Sequence, residues 1–317
     1  VWITSSLATV LTPTALALGN FDGVHQGHRQ VIQPILTAGN DAIASPVYST
    51  LVTFHPHPQE FFSGQPRKLL TPLPEKIAQL DAMGVKQLML LPFDQQLAKL
   101  TPKQFVQEIL VRQLQAQHIS VGSDFRFGRN RVGTAEELQA IAAVEGIEVM
   151  ITSLKLLDGN RISSSAIRNA LQAGDISLAN YLLGRPYSLV GTVVEGQRLG
   201  NTLGFPTANL QLPPEKWLPR SGVYAVRVHW CEKSDRPQPG TAFECGVMNL
   251  GYRPTVSGTS LVAEVHLLNW SGDLYGQVLS VSLEQFLRPE QKFESLNALK
   301  AQIQADCDAA QNLFAGD

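Results

Sequence analysis

The 317 residues carry 44% hydrophobic and 16% charged side chains and a formal net charge of −2 at pH 7, which describes an ordinary globular chain long enough for two domains. That near-neutral balance leaves no basic field for nucleic acid, although a nucleotide, which needs only a local phosphate site, stays open. Cys231, Cys245 and Cys307 are scattered and odd in number, so neither a disulfide framework nor a C-x-x-C site is expected and a reducing, cytoplasmic setting is the simple reading.

The apolar stretch Leu7 to Leu18 has no Lys or Arg before it and is interrupted by Thr12, Pro13 and Thr14, which argues against a signal peptide. No apolar run approaches the roughly eighteen residues of a transmembrane helix, so no membrane partner is expected. From Ala15 onward the period alternates between strand and helix. Leu16-Ala17-Leu18 breaks into Gly19-Asn20-Phe21-Asp22-Gly23-Val24-His25-Gln26-Gly27-His28, and an amphipathic segment follows. A strand, a glycine-rich turn and a helix in that order bring backbone N–H groups and the helix dipole to one crevice, which suits phosphate.

Val47 to Phe54 then reads as a strand, Pro74 to Met83 as a helix, Val85 to Leu91 as a strand and Pro102 to Gln115 as an amphipathic helix. His118 to Gly122, Thr134 to Val144 and Glu148 to Leu154 continue the series as strand, helix and strand. This alternation implies a parallel sheet covered on both faces. Ser163-Ser164-Ser165 precedes a helix from Ala166 to Ala173, Gly174 stands where a C-terminal cap belongs, and a second short helix runs from Ser177 to Leu183. The domain boundary is placed after Arg185, giving domains 1–185 and 186–317.

Beyond Pro186 the period becomes two. Tyr224, Val226, Val228 and Trp230 alternate with Ala225, Arg227 and His229, and Leu279, Val281 and Leu283 alternate with Ser280, Ser282 and Glu284. Several such runs between Gly-, Pro- and Asn-bearing turns suggest a small closed antiparallel barrel, followed by a helix from Leu296 to Leu313.

His25 and His28 have two plain readings, capping or packing at the helix start, and a chemical one, contact with a bound phosphate. With His55 and His57, four of the seven histidines fall in two pairs at neighbouring strand ends, so zinc is a further reading, although no Cys, Asp or Glu clearly completes a ligand set. Ser164, Ser165 and Arg168 either cap a helix or hold a polyphosphate. Asp124, Phe125 and Phe127 flank Arg126 in a loop after a strand, and aromatics more exposed than a core pattern would place them suggest a planar ring as partner.

In the second half, Gly196 to Asn209 is a long loop with Gly196, Gly200 and Gly204, followed by Pro206, Thr207 and Asn209. Thr207 and Asn209, two apart on extended chain, point the same way and suit Mg²⁺. Glu264 and His266 share one face of Leu261 to Leu267, opposite Ala263, Val265 and Leu267. That face is either solvated or lines a ligand cavity, in which case Glu264 is available as a base.

Taken together, GNFDGVHQGH (19–28), TFHPHP (53–58), VGSDFRFG (121–128), ISSSAIR (162–168), LGFPTANL (203–210), GVMNLGYRPT (246–255), AEVHLLNW (263–270), DLYG (273–276) and LRPEQKF (287–293) resemble the prokaryotic bifunctional riboflavin kinase/FMN adenylyltransferases, also called FAD synthetases. The resemblance runs from Ala15 to the last helix. It implies an N-terminal Rossmann-like nucleotidyltransferase domain and a C-terminal six-stranded antiparallel flavokinase barrel with a terminal helix. Riboflavin and ATP would give FMN, and FMN and ATP would give FAD and pyrophosphate, both with Mg²⁺.

By resemblance, Gly19, Phe21, Asp22, Gly23, His25, His28, Ser164, Ser165 and Arg168 bind the ATP used for adenylyl transfer, with His25, His28 and Arg168 catalytic. His57, Pro58, Asp124, Phe125 and Phe127 lie at the FMN. In the barrel, Gly196, Gly200, Gly204, Pro206, Thr207 and Asn209 bind ATP, with Thr207 and Asn209 on Mg²⁺. Glu264 is the general base, and Asn249, Arg253 and Arg288 face the flavin. The chain departs from the family pattern at Ser165, where Thr is common, at Asn201, where an arginine is common, and at Asn269-Trp270, in place of an acidic-aromatic pair. An enzyme retaining only adenylyl transfer and a non-catalytic flavin-binding regulator are the alternatives. A monomer or weak homo-oligomer is expected.

Overall fold

The computed structural model describes residues 1–38, 46–153, 156–157, 160–196, 203–231, 243–255 and 258–315, with the side chains of 156, 157, 160, 253–255 and 258–260 left aside. By packing, the chain forms two compact units, Val1–Ser163 and Ser164–Asp317.

The first unit is built on a six-stranded parallel sheet of order β1-β4-β3-β2-β5-β6, with β1 Trp2–Thr4, β2 Thr14–Leu18, β3 Tyr48–His55, β4 Gln87–Pro92, β5 Ala116–Gly122 and β6 Glu148–Thr152. All five residues of β2 are buried, as a central parallel strand demands. Leu16 and Leu18 pack into a core with Phe105, Val106, Leu110, Leu138 and Ala142. Ala15 and Ala17 face a second core with Val31, Ile32, Ile35 and Leu80. Helices α1 Gln26–Ala38 and α3 Leu73–Ala82 therefore cover one face, and Phe105–Gln113 with α6 Ala135–Val144 cover the other. Short helices α2 Pro58–Ser63 and α4 Gln95–Lys99 lie between them in sequence. The segment expected as one amphipathic helix starts as α5 Pro102–Gln104 and is then wound as a π-helix over Phe105–Gln113.

The second unit opens with two helices, α7 Ser164–Ala173 and α8 Ile176–Leu183. Gly174 adopts φ 82° between them, a left-handed conformation that favours glycine. Both helices belong to the barrel's unit: Asn180 Nδ2 donates to the Leu283 carbonyl at 2.8 Å, and its Oδ1 accepts from Tyr187 N at 2.7 Å. The division by packing thus falls inside the triple serine, about twenty residues before the boundary read from sequence. Strands β9 Tyr187–Val194, β10 Ala208–Gln211, β11 Gly222–Cys231, β12 Glu244–Thr255, β13 Gly258–Leu267 and β14 Val278–Arg288 close a barrel of order β10-β13-β12-β11-β14-β9, antiparallel throughout. The remaining strands, β7 Leu156–Leu157 and β8 Asn160–Arg161, form a small hairpin in the first unit.

Alternation decides which side of each barrel strand is inside. Tyr224, Met248, Val265 and Ala208 lie opposite one another across β11, β12, β13 and β10 and are all buried, so this row fills the barrel. The next row, Val223, Asn249, Glu264 and Asn209, therefore faces outward. Where that outer face is apolar, at Val223, Ala225 and Val247, the terminal helix α9 Leu296–Phe314 covers it with Cys307 and Ala310.

Candidate active sites

In the first unit the chain leaves β2 for β3 on one side and returns to β5 on the other. The carboxyl ends of β2 and β5 thus bound a topological switch point, the crevice where open α/β sheets bind ligands. The turn Gly19 to His28 lies there. Phe21 (φ 50°) and Val24 (φ 41°) adopt left-handed backbone, costly for any side chain and most of all for a β-branched one. Both are buried, so packing holds the strained turn.

Its polar groups are tied from beneath. Gly23 N donates to Thr71 Oγ1 at 2.9 Å, Thr71 N donates to Asp22 Oδ1 at 3.2 Å, and Lys76 Nζ donates to the Asn20 carbonyl at 3.0 Å. Asp22 and Lys76 are both buried. Burial holds Lys76 below the usual lysine range, against the opposing pull of Asp22. Sequence reading missed Thr71 and Lys76, because their signal is proximity to a turn some fifty residues away.

The rings of His25 and His28 stack with centroids 3.6 Å apart, and Phe21 meets His28 edge-on at 5.2 Å. His28 N donates to His25 Nδ1 at 3.2 Å, which leaves Nε2 to carry the proton of a neutral His25 ring. Gly27 lies close under this packing: a Cβ there would lie 3.2 Å from the His25 ring. His28 stands in the first turn of α1, where N–H groups and the helix dipole favour an anion.

His57 is the N-cap of α2: its Nδ1 accepts from Gln59 N at 3.1 Å, and Glu60 returns a bond to His57 N at 3.1 Å. Pro58 takes the first helical position. Burial, reinforced by Arg67 and opposed by Glu60 and Asp22, lowers His57 from 6.5 to about 4. A ring that binds its proton less tightly when folded contributes stability above pH 6.5 and loses it as pH falls toward 4. An NMR titration, assigned with His57→Asn, is expected to find this ring neutral at pH 5.5; a midpoint near 6.5 would contradict the buried cap.

Beside His57, Phe54, Phe61, Phe62 and Phe93 form a cluster with ring centroids 5.3 to 5.8 Å apart, and Phe62 is 72% exposed. This edge-to-face aromatic cluster was also missed, although the Phe61-Phe62 doublet in a short helix is its trace in sequence. After β5, Asp124 pairs with Arg161, which had no sequence signal. Phe125 is half-buried. Phe127 corrects the expectation of an exposed aromatic: it is 3% exposed and packs with Phe105 in the core, because its backbone folds back to pair with Gly133.

Among the described residues no three His, Cys, Asp or Glu side chains form a group that could hold a metal ion, so the histidine pairs have no zinc ligand set there. Ser164, Ser165 and Arg168 open α7 in the second unit, where the Arg168 guanidinium lies over the Trp217 ring, 5.0 Å from its centroid.

In the barrel, Glu264 stands directly opposite Asn209 on one side and Asn249 on the other, so three polar side chains share the outer face in one row. Thr207, two residues before Asn209, has the same half-buried alternation. His266 Nδ1 lies 2.8 Å from the Pro206 carbonyl, and Phe205 meets the His266 ring edge-on at 5.5 Å. Phe205 also joins the cluster under α9. The polar row therefore borders an apolar patch. A Cβ at Gly196 would overlap the Asn209 amide, and one at Gly251 would overlap the Glu290 carboxylate. Gly204 adopts φ 85°.

Gly200 and Asn201 lie outside the described residues, as does the Arg253 side chain. Arg288, expected at the flavin, is engaged in the fold: its Nε donates to both Asp306 oxygens at 2.9 and 3.1 Å, and its second terminal nitrogen donates to Oδ2 at 2.8 Å. Side-chain exposures of 17% and 6% make this a largely dry pair that pins α9 to β14. Asp306→Ala is expected to destabilise the barrel by about 3 kcal/mol, measured by denaturant unfolding.

Two family models match, FAD synthetase over residues 8–166 and riboflavin kinase over residues 183–314. The chain belongs to the bifunctional riboflavin kinase/FMN adenylyltransferases. Curated members include one from Pseudomonas fluorescens, 42% identical over 94% of this chain and 92% of its own, and one from Escherichia coli K12, 41% identical over 94% and 92%. A solved structure named a macrolide-efflux protein, from Streptococcus pneumoniae, superposes with a TM-score of 0.84 at 28% identity, covering 98% of each chain. This member of the family has no helix, among the described residues, long and apolar enough to cross a membrane. Its parallel-sheet unit and closed barrel are the two folds that the family resemblance implies.

Proposed function

We propose that the barrel transfers the ATP γ-phosphate to riboflavin, giving FMN and ADP, and that the parallel-sheet domain joins FMN to ATP, giving FAD and pyrophosphate. The observation that carries this reading is that two chemically different polar sites, a stacked histidine pair on a phosphate-type turn and a Glu-Asn-Asn row on a barrel face, occur in one chain.

In adenylyl transfer an FMN phosphate oxygen attacks the α-phosphorus in line, and the bond to the β-phosphate breaks as pyrophosphate leaves. His28 and the Nε2–H of His25 stabilise charge growing on the α-phosphate, helped by the first-turn N–H groups of α1. Gly19, Phe21, Asp22 and Gly23 shape the turn. Ser164, Ser165 and Arg168 hold the departing phosphates, an assignment carried by the ISSSAIR resemblance. His57, Pro58, Asp124 and Phe125 face the FMN, and the exposed Phe62 of the neighbouring aromatic cluster is available to pack on the isoalloxazine ring.

In the kinase reaction Glu264 takes the proton of the ribityl 5′-hydroxyl as its oxygen bonds to the γ-phosphorus and ADP leaves. Gly196, Gly204 and Pro206 shape the ATP loop, and Asn249 reaches the flavin side of the row. Thr207 and Asn209 offer hard oxygen donors beside the Glu264 carboxylate, a donor set that fits Mg²⁺. They would hold the ion, which supplies charge neutralisation to the phosphates. Three cysteines, scattered and odd in number, suit a reducing compartment, and our reading is a cytoplasmic enzyme without nucleic-acid or membrane partners, a monomer or weak homo-oligomer.

Incubation with riboflavin, ATP and Mg²⁺, resolved by chromatography, tests the reading: FMN should appear first and FAD after it. FAD from supplied FMN with no FMN from riboflavin would leave only the adenylyltransferase.

A further inference from the structure

The Asn20 carbonyl stands one residue before the left-handed Phe21 and takes two donors from outside its own turn. Lys76 Nζ, from α3, donates to it at 3.0 Å, and Thr53 Oγ1, from β3, donates to it at 3.3 Å. Both side chains are buried. The peptide that leads into the strained turn is thus held by a strand and a helix that the chain reaches only 33 and 56 residues later.

The two donors are not equivalent. A hydroxyl supplies an ordinary hydrogen bond, whereas a buried ammonium supplies a charge-assisted one and is costly unless it is paired. Burial presses Lys76 toward its neutral form, the Asp22 carboxylate opposes this most strongly, and Arg67 adds a smaller push in the direction of burial. Asp22 is buried in the same turn and accepts from Thr71 N at 3.2 Å, while Thr71 Oγ1 accepts from Gly23 N at 2.9 Å. The backbone is therefore fixed before Phe21, at Asn20, and after it, at Gly23. Left-handed backbone at Phe21 and Val24 persists only where the surroundings over-determine it, and the bond from Lys76 is the charged member of that set.

We infer that Lys76 is a positioning residue for adenylyl transfer: its ammonium holds the Asn20 peptide, and through it the turn from Phe21 to Val24, in the conformation that receives the ATP phosphates. The inference rests on the reading of that turn as the ATP site given above. Loss of the ammonium makes the receiving conformation a minor state without abolishing it, and ATP, which binds that state, draws the turn back into it. The signature is a raised KM for ATP with kcat retained at saturation.

Lys76→Met, close in length but uncharged, is expected to raise KM for ATP in FMN adenylylation by about tenfold to a hundredfold, the range of one hydrogen bond to a charged group, with kcat within about twofold of the parent. Thr53→Val, a near-isosteric loss of the second donor, should raise the same KM by about twofold to tenfold and leave kcat alone. Lys76→Gln, which keeps an N–H donor without the charge, should fall between Lys76→Met and the parent. Phosphorylation of riboflavin in the same full-length chains should keep its rate.

An unchanged KM for ATP in Lys76→Met would overturn the proposal, whether or not kcat fell. If Lys76→Met gave no folded protein, Thr53→Val and Lys76→Gln would carry the test, and an unchanged KM in both would overturn it. If His28→Ala left adenylylation intact, the reading of the turn would fail first, and the role of Lys76 with it. An inactive His28→Ala beside an unchanged KM in Lys76→Met would remove the role of Lys76 alone.

Discussion

Replacing Glu264 with alanine is expected to slow phosphorylation of riboflavin by about 10²- to 10⁴-fold, the range of a lost general base, and to leave conversion of supplied FMN to FAD at its parent rate. The expectation comes from register. Glu264 lies between Asn209 and Asn249 on the outer barrel face, next to the loop fixed by His266 and Phe205. Its removal leaves the barrel interior untouched, because Ala263 and Val265 fill the opposite face. Glu264→Gln keeps the shape and hydrogen-bonding capacity but not the base, and should fail as badly. Separate assays with riboflavin and with FMN as substrate check this, and a gentle effect of the Gln variant would point to a binding role instead.

The reciprocal change is His28→Ala. It should stop the sequence at FMN, with adenylylation reduced by about 10²- to 10³-fold, the usual loss when one preorganised donor to a developing oxyanion is removed. His28 is stacked on His25 and touched by Phe21, so its loss also frees a ring that lies close over Gly27. His28→Asn, which retains a donor near the same place, is expected to recover part of the rate. Riboflavin phosphorylation in both variants should match the parent, and a loss there would contradict the separation of the two chemistries.

Both variants act on residues that sequence reasoning found, but the reasons they work were unequally legible. The turn at Gly19 to His28 was readable because local signals, an apolar strand, three glycines and a helix start, lie within thirteen consecutive residues (16–28). Alternation likewise placed Glu264 and His266 on one face of β13. Alternation could not say that Asn209 and Asn249 flank Glu264, since that depends on the pairing of β10, β13 and β12.

Longer-range facts were hidden for the same physical reason. Arg288 reads as an available guanidinium until α9 brings Asp306 to it. Phe127 reads as a loop aromatic until its backbone turns inward at Gly133. The periodicity of Ser164 to Ala173 announces an amphipathic helix but not that the barrel loop at Trp217 and Leu218 packs against it.

The central claim, two independent sites in one chain, is tested most directly by mixing. Glu264→Ala and His28→Ala proteins, each alone with riboflavin, ATP and Mg²⁺, should make no appreciable FAD; combined in one tube they should make it, the His28→Ala protein supplying FMN to the Glu264→Ala protein. If the mixture of the two folded variants also failed, because either substitution had abolished both reactions, the two-site account would be contradicted.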